Sequence, residues 1–260
     1  MIQRARWAFA SHRHTIVFTI AICALAAGNA RAQGGPPMIT DDPGTPGPGK
    51  FEINLAIAFD RRPSEIAFDA PAIDINYGVG ENIQLTLQTA PVILKRHGQG
   101  AIGGLGGTEA ALKWRFLDEE KFGADVSMFP RVIFNIVQSS IRRGLSEDGT
   151  RVQLPFQVAK KFGKVALDFE WGAIASTVGR SEWLYGIVGG VELTKSTTVM
   201  AELHGTSRMS FDRDMLTVNF GIRQKLTDHA ILIASLGHQV RSPAGEPLAF
   251  IGYCGVQLLY

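Results

Sequence analysis

The stretch FEINLAIAF, residues 51–59, alternates large apolar side chains with small or polar ones. Phe51, Ile53 and Leu55 occupy the odd positions, with Glu52 and Asn54 between them. Successive side chains of a β-strand point to opposite faces, so a period of two predicts a strand with one apolar and one polar face. The same period recurs along most of residues 50–260.

Twelve segments of this kind predict an all-β protein, a single antiparallel up-and-down transmembrane β-barrel. The connections between them alternate in length. The longer ones are expected at residues 60–65, 96–104, 137–149, 176–182, 206–214 and 240–247, and the shorter ones at 79–82, 118–122, 161–163, 194–196 and 225–227. Long outside loops and short periplasmic turns are typical of outer-membrane barrels.

Two further features favour the barrel. The chain ends on Tyr260 after apolar residues at alternate positions, which is typical of the signal read by the outer-membrane assembly machinery. A secreted β-sandwich would alternate too, but its polar face would meet bulk water and be richer in Lys and Glu. Pro71, Pro130 and Pro155 each lack a backbone donor, so irregularities or bulges are expected near them.

The N-terminus has the pattern of a cleavable secretory signal peptide over residues 1–32. Basic residues precede the apolar core TIVFTIAICALAA, residues 15–27, and Ala30-Arg31-Ala32 forms an A-x-A cleavage site. Residues 33–49 hold five prolines and predict an extended Pro/Gly-rich linker, periplasmic or entering the lumen, and residues 50–260 predict the barrel.

The composition excludes several classes of protein. With 45% hydrophobic and 19% charged residues the chain is not disordered, and a net charge of +2 is too small for a nucleic-acid-binding surface. Cleavage would remove Cys23 and leave Cys254 alone, so no disulfide framework is expected.

Several stretches resemble one family. ITDDPGTPGPG (39–49) with EIN (52–54), YGVG (77–80), KWRFLDEE (113–120) and ELHG (202–205) are similar to outer-membrane proteins described as phenol meta-pathway components or transporters. This resemblance covers nearly all of the mature chain. It implies a membrane barrel and the passage of small organic molecules, and it supplies no catalytic residues.

Motifs for chemistry are weak. The G-x-G-x-x-G pattern at residues 98–103 lies between two predicted strands with no helix after it, so a dinucleotide site is not expected. No two histidines have metal-ligand spacing, and no cofactor is expected. Glu202 and His204 share one strand face and would suit acid–base work if a serine joined them, but no nucleophile is evident and a pair of polar residues lining a lumen is the favoured interpretation.

The polar strand faces would line the lumen. The residues expected there are Glu109, Lys113, Arg115, Asp125, Arg131, Arg151, Glu170, Glu192, Glu202, His204 and Arg223. The bases could form a stripe opposite an acidic stripe and orient a dipolar or anionic solute, or they could pair with Asp125 and Glu109 and only stabilise the wall. The linker, 17 residues long, could extend about 56 Å, enough to enter the lumen and bring Asp41 and Asp42 to the bases.

These features predict a non-enzymatic protein of the bacterial outer membrane, a narrow channel or transporter for small organic solutes such as aromatic ones. Twelve strands leave a lumen between the filled interior of eight strands and the open pore of sixteen. The expected partners are outer-membrane lipid and lipopolysaccharide, the assembly machinery and the solute. Two alternatives stay open: a barrel enzyme acting on lipid or lipopolysaccharide, and a structural barrel with a blocked lumen.

Overall fold

A computed structural model describes residues 34–212, 214–243 and 249–260. The expected signal peptide, residues 1–32, lies outside the described residues. Thirteen strands are present in the described ranges. They are β1 (Phe51–Arg62), β2 (Glu65–Val79), β3 (Ile83–Arg96), β4 (Ile102–Leu117), β5 (Asp125–Met128), β6 (Arg131–Phe134), β7 (Arg151–Phe162), β8 (Val165–Ser176), β9 (Glu182–Glu192), β10 (Thr197–Arg208), β11 (Asp214–Lys225), β12 (Ala230–Arg241) and β13 (Phe250–Leu259).

The strands form one closed antiparallel barrel. Neighbouring strands pair in chain order, and β1 pairs with β13 from Glu52↔Leu259 to Arg61↔Phe250, which closes the sheet. β5 and β6 each pair with both β4 and β7, so they are the two halves of one barrel strand. The barrel therefore has twelve strands around its circumference, which confirms the predicted fold class.

The predicted irregularities are present at Pro71 and Pro130, whereas β7 pairs with β8 through Pro155 without a register shift. The pairing of β2 with β3 shifts register between Asp69 and Ile73, around Pro71. Phe129 and Pro130 separate β5 from β6, and the Phe129 N–H donates to the carbonyl of Pro155. Phe129 is 1% exposed, so this interruption turns a large aromatic ring into the interior.

Burial alternates in the opposite sense to that of a soluble protein. On β8, the apolar residues Leu167, Phe169 and Trp171 are 42%, 46% and 47% exposed, whereas Asp168 and Glu170 between them are 1% and 0% exposed. The barrel thus presents a broad apolar outer face, and its inner face is polar and buried. A continuous apolar surface of this extent marks an interaction surface rather than one in contact with water.

The two ends of the barrel differ. One end, the long-loop end, carries the connection 135–150, which contains α2 (Gln138–Arg143), together with 97–101 and 177–181. The other, the short-turn end, has connections at 80–82, 163–164, 193–196 and 226–229, and a longer one at 118–124 that contains α1 (Glu119–Phe122). The first connection, expected over 60–65, is only residues 63–64, because β1 and β2 extend further than their alternation suggests. Neither helix, nor any other in the described part of the chain, is long and apolar enough to cross a membrane.

Candidate functional site

Residues 34–46, the luminal segment, lie inside the barrel. Met38 packs with Val188 of β9 and Met200 of β10, and all three side chains are at most 5% exposed. Thr40 is fully buried. The chain leaves at the short-turn end, where the Gly49 N–H donates to the carbonyl of Gly78 at the end of β2. The segment contacts inward residues on strands from β4 to β12, so it crosses the lumen from one wall to the other.

Glu202 on β10 holds the middle of the luminal segment. Its carboxylate accepts the backbone N–H groups of Ile39, at 3.1 Å, and Thr40, and it also accepts the side-chain amide of Asn219, at 3.0 Å. The approach is close: a Cβ on Gly186 of β9 would lie 2.0 Å from the Thr40 Oγ1. Only glycine at position 186 lets the segment sit against this wall.

Asp41 holds the segment to the opposite wall. Its carboxylate lies 3.0 Å from the Nζ of Lys113 on β4 and 3.5 Å from an Nη of Arg131 on β6. Burial alone would raise the pKa of Asp41, but these two cations hold that pKa below its ordinary value. Asp41 therefore sits in the lumen as a carboxylate paired with two bases.

An aromatic ring and a second acid complete this charge cluster. Arg131 also lies 2.9 Å from the Glu170 carboxylate on β8. The Phe129 ring lies 4.7 Å from the Lys113 ammonium and 4.4 Å from the Arg131 guanidinium, which is cation–π distance. The inward-facing Phe129 ring thus contacts both bases.

The start of the luminal segment is tied to β11 and β12. The guanidinium of Arg223 donates to the carbonyls of Gly34, at 2.8 Å, and Pro36, at 2.6 Å, and the Ser235 hydroxyl donates to the carbonyl of Pro37, at 2.8 Å. These contacts fix a proline-rich stretch through its carbonyl oxygens, which are the only backbone hydrogen-bonding groups that prolines retain.

Asp42 differs from its neighbour. Its Oδ1 accepts the Gly44 N–H at 2.6 Å, and no cation pairs with it as closely as Lys113 pairs with Asp41. Burial raises the pKa of Asp42 to about 6, and the charge of Asp41 adds to that rise against the opposing charge of Lys113. Asp42 is consequently a group of the luminal segment that titrates near physiological pH.

The other expected lumen residues lie towards the two ends. Arg115 lies 3.8 Å from Asp118 and 3.9 Å from Asp125 near the short-turn end. At the same end, Glu192 pairs with Lys161 at 2.9 Å. Lys113, Arg115 and Arg131 thus each lie within 4 Å of an acid, as the pairing alternative expected, whereas Arg223 is bonded to backbone carbonyls.

Two of the expected residues lie closer to the long-loop end. Arg151 pairs with Glu147 of the connection 135–150 at 2.8 Å. Glu109 faces the lumen beside the central cluster, and its Oε1 is buried without a hydrogen-bond partner among the described residues.

The arrangement does not assemble the acid–base pair considered for Glu202 and His204. Both Glu202 oxygens accept hydrogen bonds from the luminal segment, and within the described residues no hydroxyl is hydrogen-bonded to His204. The hydroxyl of Ser207, three positions along β10, donates to Asp214 instead. Over the same described ranges, no group of three or more His, Cys, Asp or Glu side chains could hold a metal ion.

Several site residues have no signal in the sequence. Asn219, Ser235 and Thr40 are ordinary polar residues in alternating or loop segments, and nothing in their local sequence indicates a contact. Phe129 carries one indirect signal, since it precedes Pro130 at a predicted break in the ladder. Gly186 is one of 29 glycines, and only the approach of Thr40 distinguishes it.

Comparisons with known proteins identify the fold. No family model and no curated protein matches the chain. Among solved structures, an outer membrane channel from Pseudomonas putida F1 is similar with a TM-score of 0.63 and 15% identity, covering 82% of this chain and 96% of that one. The NanC porin (TM-score 0.58, 8% identity) and the KdgM porin (TM-score 0.54, 10% identity) each match over 79% of this chain and 98% of theirs. At these identities the likeness shows a shared barrel fold.

Proposed function

We propose that the protein is an outer-membrane channel for small organic solutes, in which the luminal segment is a movable plug. The observation that carries this proposal is the luminal segment itself, which crosses a closed barrel with a charged interior and is held there by side chains of opposite walls. The similar barrels include proteins described as channels and porins, and one of them, the KdgM porin, has also been solved in complex with disordered oligogalacturonate.

The outer face supports a position in a membrane. Exposed aliphatic and aromatic side chains such as Leu167 and Phe169 cover it, as a lipid-facing surface requires. Paired aromatic rings lie towards both ends: Phe51 and Tyr77, with centroids 4.7 Å apart, near the short-turn end, and Trp171 and Trp183, 5.0 Å apart, towards the long-loop end. Aromatic girdles at the two interfaces are a feature of transmembrane barrels.

The remaining parts of the proposal concern export and assembly. Residues 1–32 direct export and are cleaved, and Tyr260 serves the assembly machinery. The short-turn end then faces the periplasm, and the long-loop end faces outside. Near the outer end, Arg61 of β1 and Lys95 of β3 both lie opposite Ile66 of β2, one on each side of it. These two bases are on the outer face, where their charges would meet lipopolysaccharide phosphates.

A structural barrel with a blocked lumen is the second candidate. The buried pairing of Asp41 with Lys113 and Arg131 favours it, because a segment so well paired could be permanent. The enzyme alternative has no such support, since Glu202 is fully used in holding Ile39 and Thr40.

Conductance separates the two candidates. Purified full-length protein in a planar lipid bilayer should show brief openings of a narrow pore. A variant lacking residues 34–42 should show a larger and more persistent conductance. If that variant inserts as a heat-modifiable barrel yet conducts no more than the full-length protein, the channel proposal fails and the structural barrel stands.

A further inference from the structure

A cavity of about 270 Å³ lies in the lumen towards the long-loop end, separate from the luminal segment. Its wall is formed by Asp69 of β2, Val92 of β3, Ile133 of β6 and Arg151 of β7, and the connection 135–150 covers it with Asn135 and Leu145. Ile93, next to Val92, is exposed on the outer face, so Val92 and Asp69, its partner in the strand pairing, point to the inner face and the cavity lies on the lumen side of the wall.

The covering connection is held in place. Leu145 is 5% exposed and packs against β4 at Gly104, where an added Cβ would lie 2.8 Å from the Leu145 Cδ1. The side-chain amide of Asn135 donates to the carbonyls of Glu147 and Gly149. The roof of the cavity is therefore built by specific contacts and belongs to the fold.

The charges that line the cavity are mainly negative, with Asp69, Glu147 and Asp148 against Arg151. The Asp69 carboxylate has no hydrogen bond or ion pair among the described residues, and the facing neighbours in its pairing, Ala58 and Val92, are apolar. The cation nearby, Arg151, is already matched by Glu147 at 2.8 Å. The cavity thus has an unmatched negative charge.

A second group also lacks a donor. Because both donated contacts of Asn135 come from its Nδ2, its Oδ1 is left as an acceptor, and that atom is buried without a partner among the described residues. Asp69 and the Asn135 Oδ1 are thus two acceptors that line the cavity with Val92, Ile133 and Leu145, beside the Ser146 Oγ and the Arg151 Nε, which are also buried without a partner among the described residues. A ligand that satisfies the two acceptors and the apolar wall has several N–H donors, one positive charge and an apolar body.

We propose that this cavity binds a small primary amine, with its ammonium group on Asp69 and Asn135 and its apolar body against Val92, Ile133 and Leu145. An ammonium has three donors and no acceptor, which matches the two unpaired acceptors, whereas a carboxylate would add to the unmatched negative charge. At about 30 Å³ per water, the cavity has room for roughly nine waters, enough for a single-ring molecule. If the cavity is the solute site of the channel, the inference rests on the proposed function. Binding of an amine in the cavity does not itself require that the protein conducts.

The test is calorimetry on the full-length protein in detergent with three probes of similar size. 2-Phenylethylammonium should bind, 2-phenylethanol should bind at least tenfold more weakly, and phenylacetate should not bind. Asp69→Asn should weaken amine binding at least tenfold. Asp60→Asn is the matched control, since Asp60 lies near the same end of the barrel but is paired with Arg62 at 3.2 Å, and it should leave the affinity within twofold.

A second variant tests the location. Val92→Phe fills the cavity without changing charge and should abolish binding of both the amine and the alcohol. Equal affinity for amine and alcohol, unchanged amine affinity in Asp69→Asn, or unchanged binding in Val92→Phe would each overturn the inference. Amine binding in a protein that never conducts would leave this site standing and defeat the channel proposal, while conduction without amine binding would do the reverse.

Discussion

Replacing Glu202 by Gln should release the luminal segment. The carboxylate of Glu202 accepts the N–H groups of both Ile39 and Thr40, so it joins β10 to the middle of the segment with two charge-assisted hydrogen bonds. Glutamine has nearly the same shape but only one acceptor oxygen. Its amide group would face one of the two N–H donors, and the negative charge would be lost.

The expected size of the effect follows from these contacts. A hydrogen bond to a charged group contributes about 1.5–3 kcal/mol. The variant retains one of the two bonds to the segment in weaker form, so the seated state should lose roughly one such contribution. Since about 1.4 kcal/mol is a factor of ten, the open-to-closed ratio should rise about 10- to 100-fold.

Single-channel recording in planar bilayers at neutral pH measures this ratio directly from open and closed dwell times. Glu192→Gln is the matched control, because it makes the same chemical change on the inner face of the barrel. Glu192 pairs with Lys161, and among the described residues it has no hydrogen bond or ion pair with the luminal segment. An open fraction of Glu202→Gln equal to that of Glu192→Gln, in barrels of equal thermal stability, would show that the segment is not the gate.

Three further results are expected. Gly186→Ala should also raise the open fraction, because its Cβ would lie 2.0 Å from the Thr40 Oγ1, and recordings as above would detect the change. Acidification from pH 7 to pH 5 should lower the open-to-closed ratio about tenfold. Burial raises the pKa of Asp42 to about 6 in the seated segment, and that pKa returns to its ordinary value when the segment is released, so protonation of Asp42 stabilises the seated state. The variant Asp42→Asn should lose this response to pH. Leu154→Arg should cost about 2–4 kcal/mol of folding free energy in lipid vesicles, measured by urea titration, whereas Gln153→Arg, facing the lumen, should cost far less.

The barrel could be predicted because its evidence is local and repeated. A period of two is visible in each strand, and an error in one segment is corrected by the others. The exceptions occur where the period breaks. β1 runs to Arg62 and β2 begins at Glu65, so the first connection is shorter than expected, and the pairing of β2 shifts between Asp69 and Ile73, near Pro71. One barrel strand is split into β5 and β6 at Phe129 and Pro130, where the alternation of the faces is also interrupted.

The site could be predicted only in outline. Charge complementarity suggested that Asp41 would meet lumen bases, and the structure places it beside Lys113 and Arg131. The contact between Thr40 and Glu202 joins residues 162 positions apart, and no periodicity or motif encodes such a pair. Pairing within the wall and seating of the segment are decided by three-dimensional distances that a single sequence does not contain.

If the luminal segment gates the channel as proposed, the central cluster accounts for how the segment can both fill the lumen and leave it. Lys113 and Arg131 are costly to bury unless they are paired, and Asp41 pairs with both. When the segment moves out, water enters the lumen and hydrates the same groups, while Arg131 keeps its contact with Glu170. Arg131 therefore keeps an acid partner in the barrel wall, whereas Lys113 exchanges its contact with Asp41 for water. The free energy of seating is the difference between pairing and hydration, which for hydrogen bonds and ion pairs amounts to a few kcal/mol. An equilibrium of that size is one that a single contact, such as that of Glu202, or the protonation of Asp42 can shift.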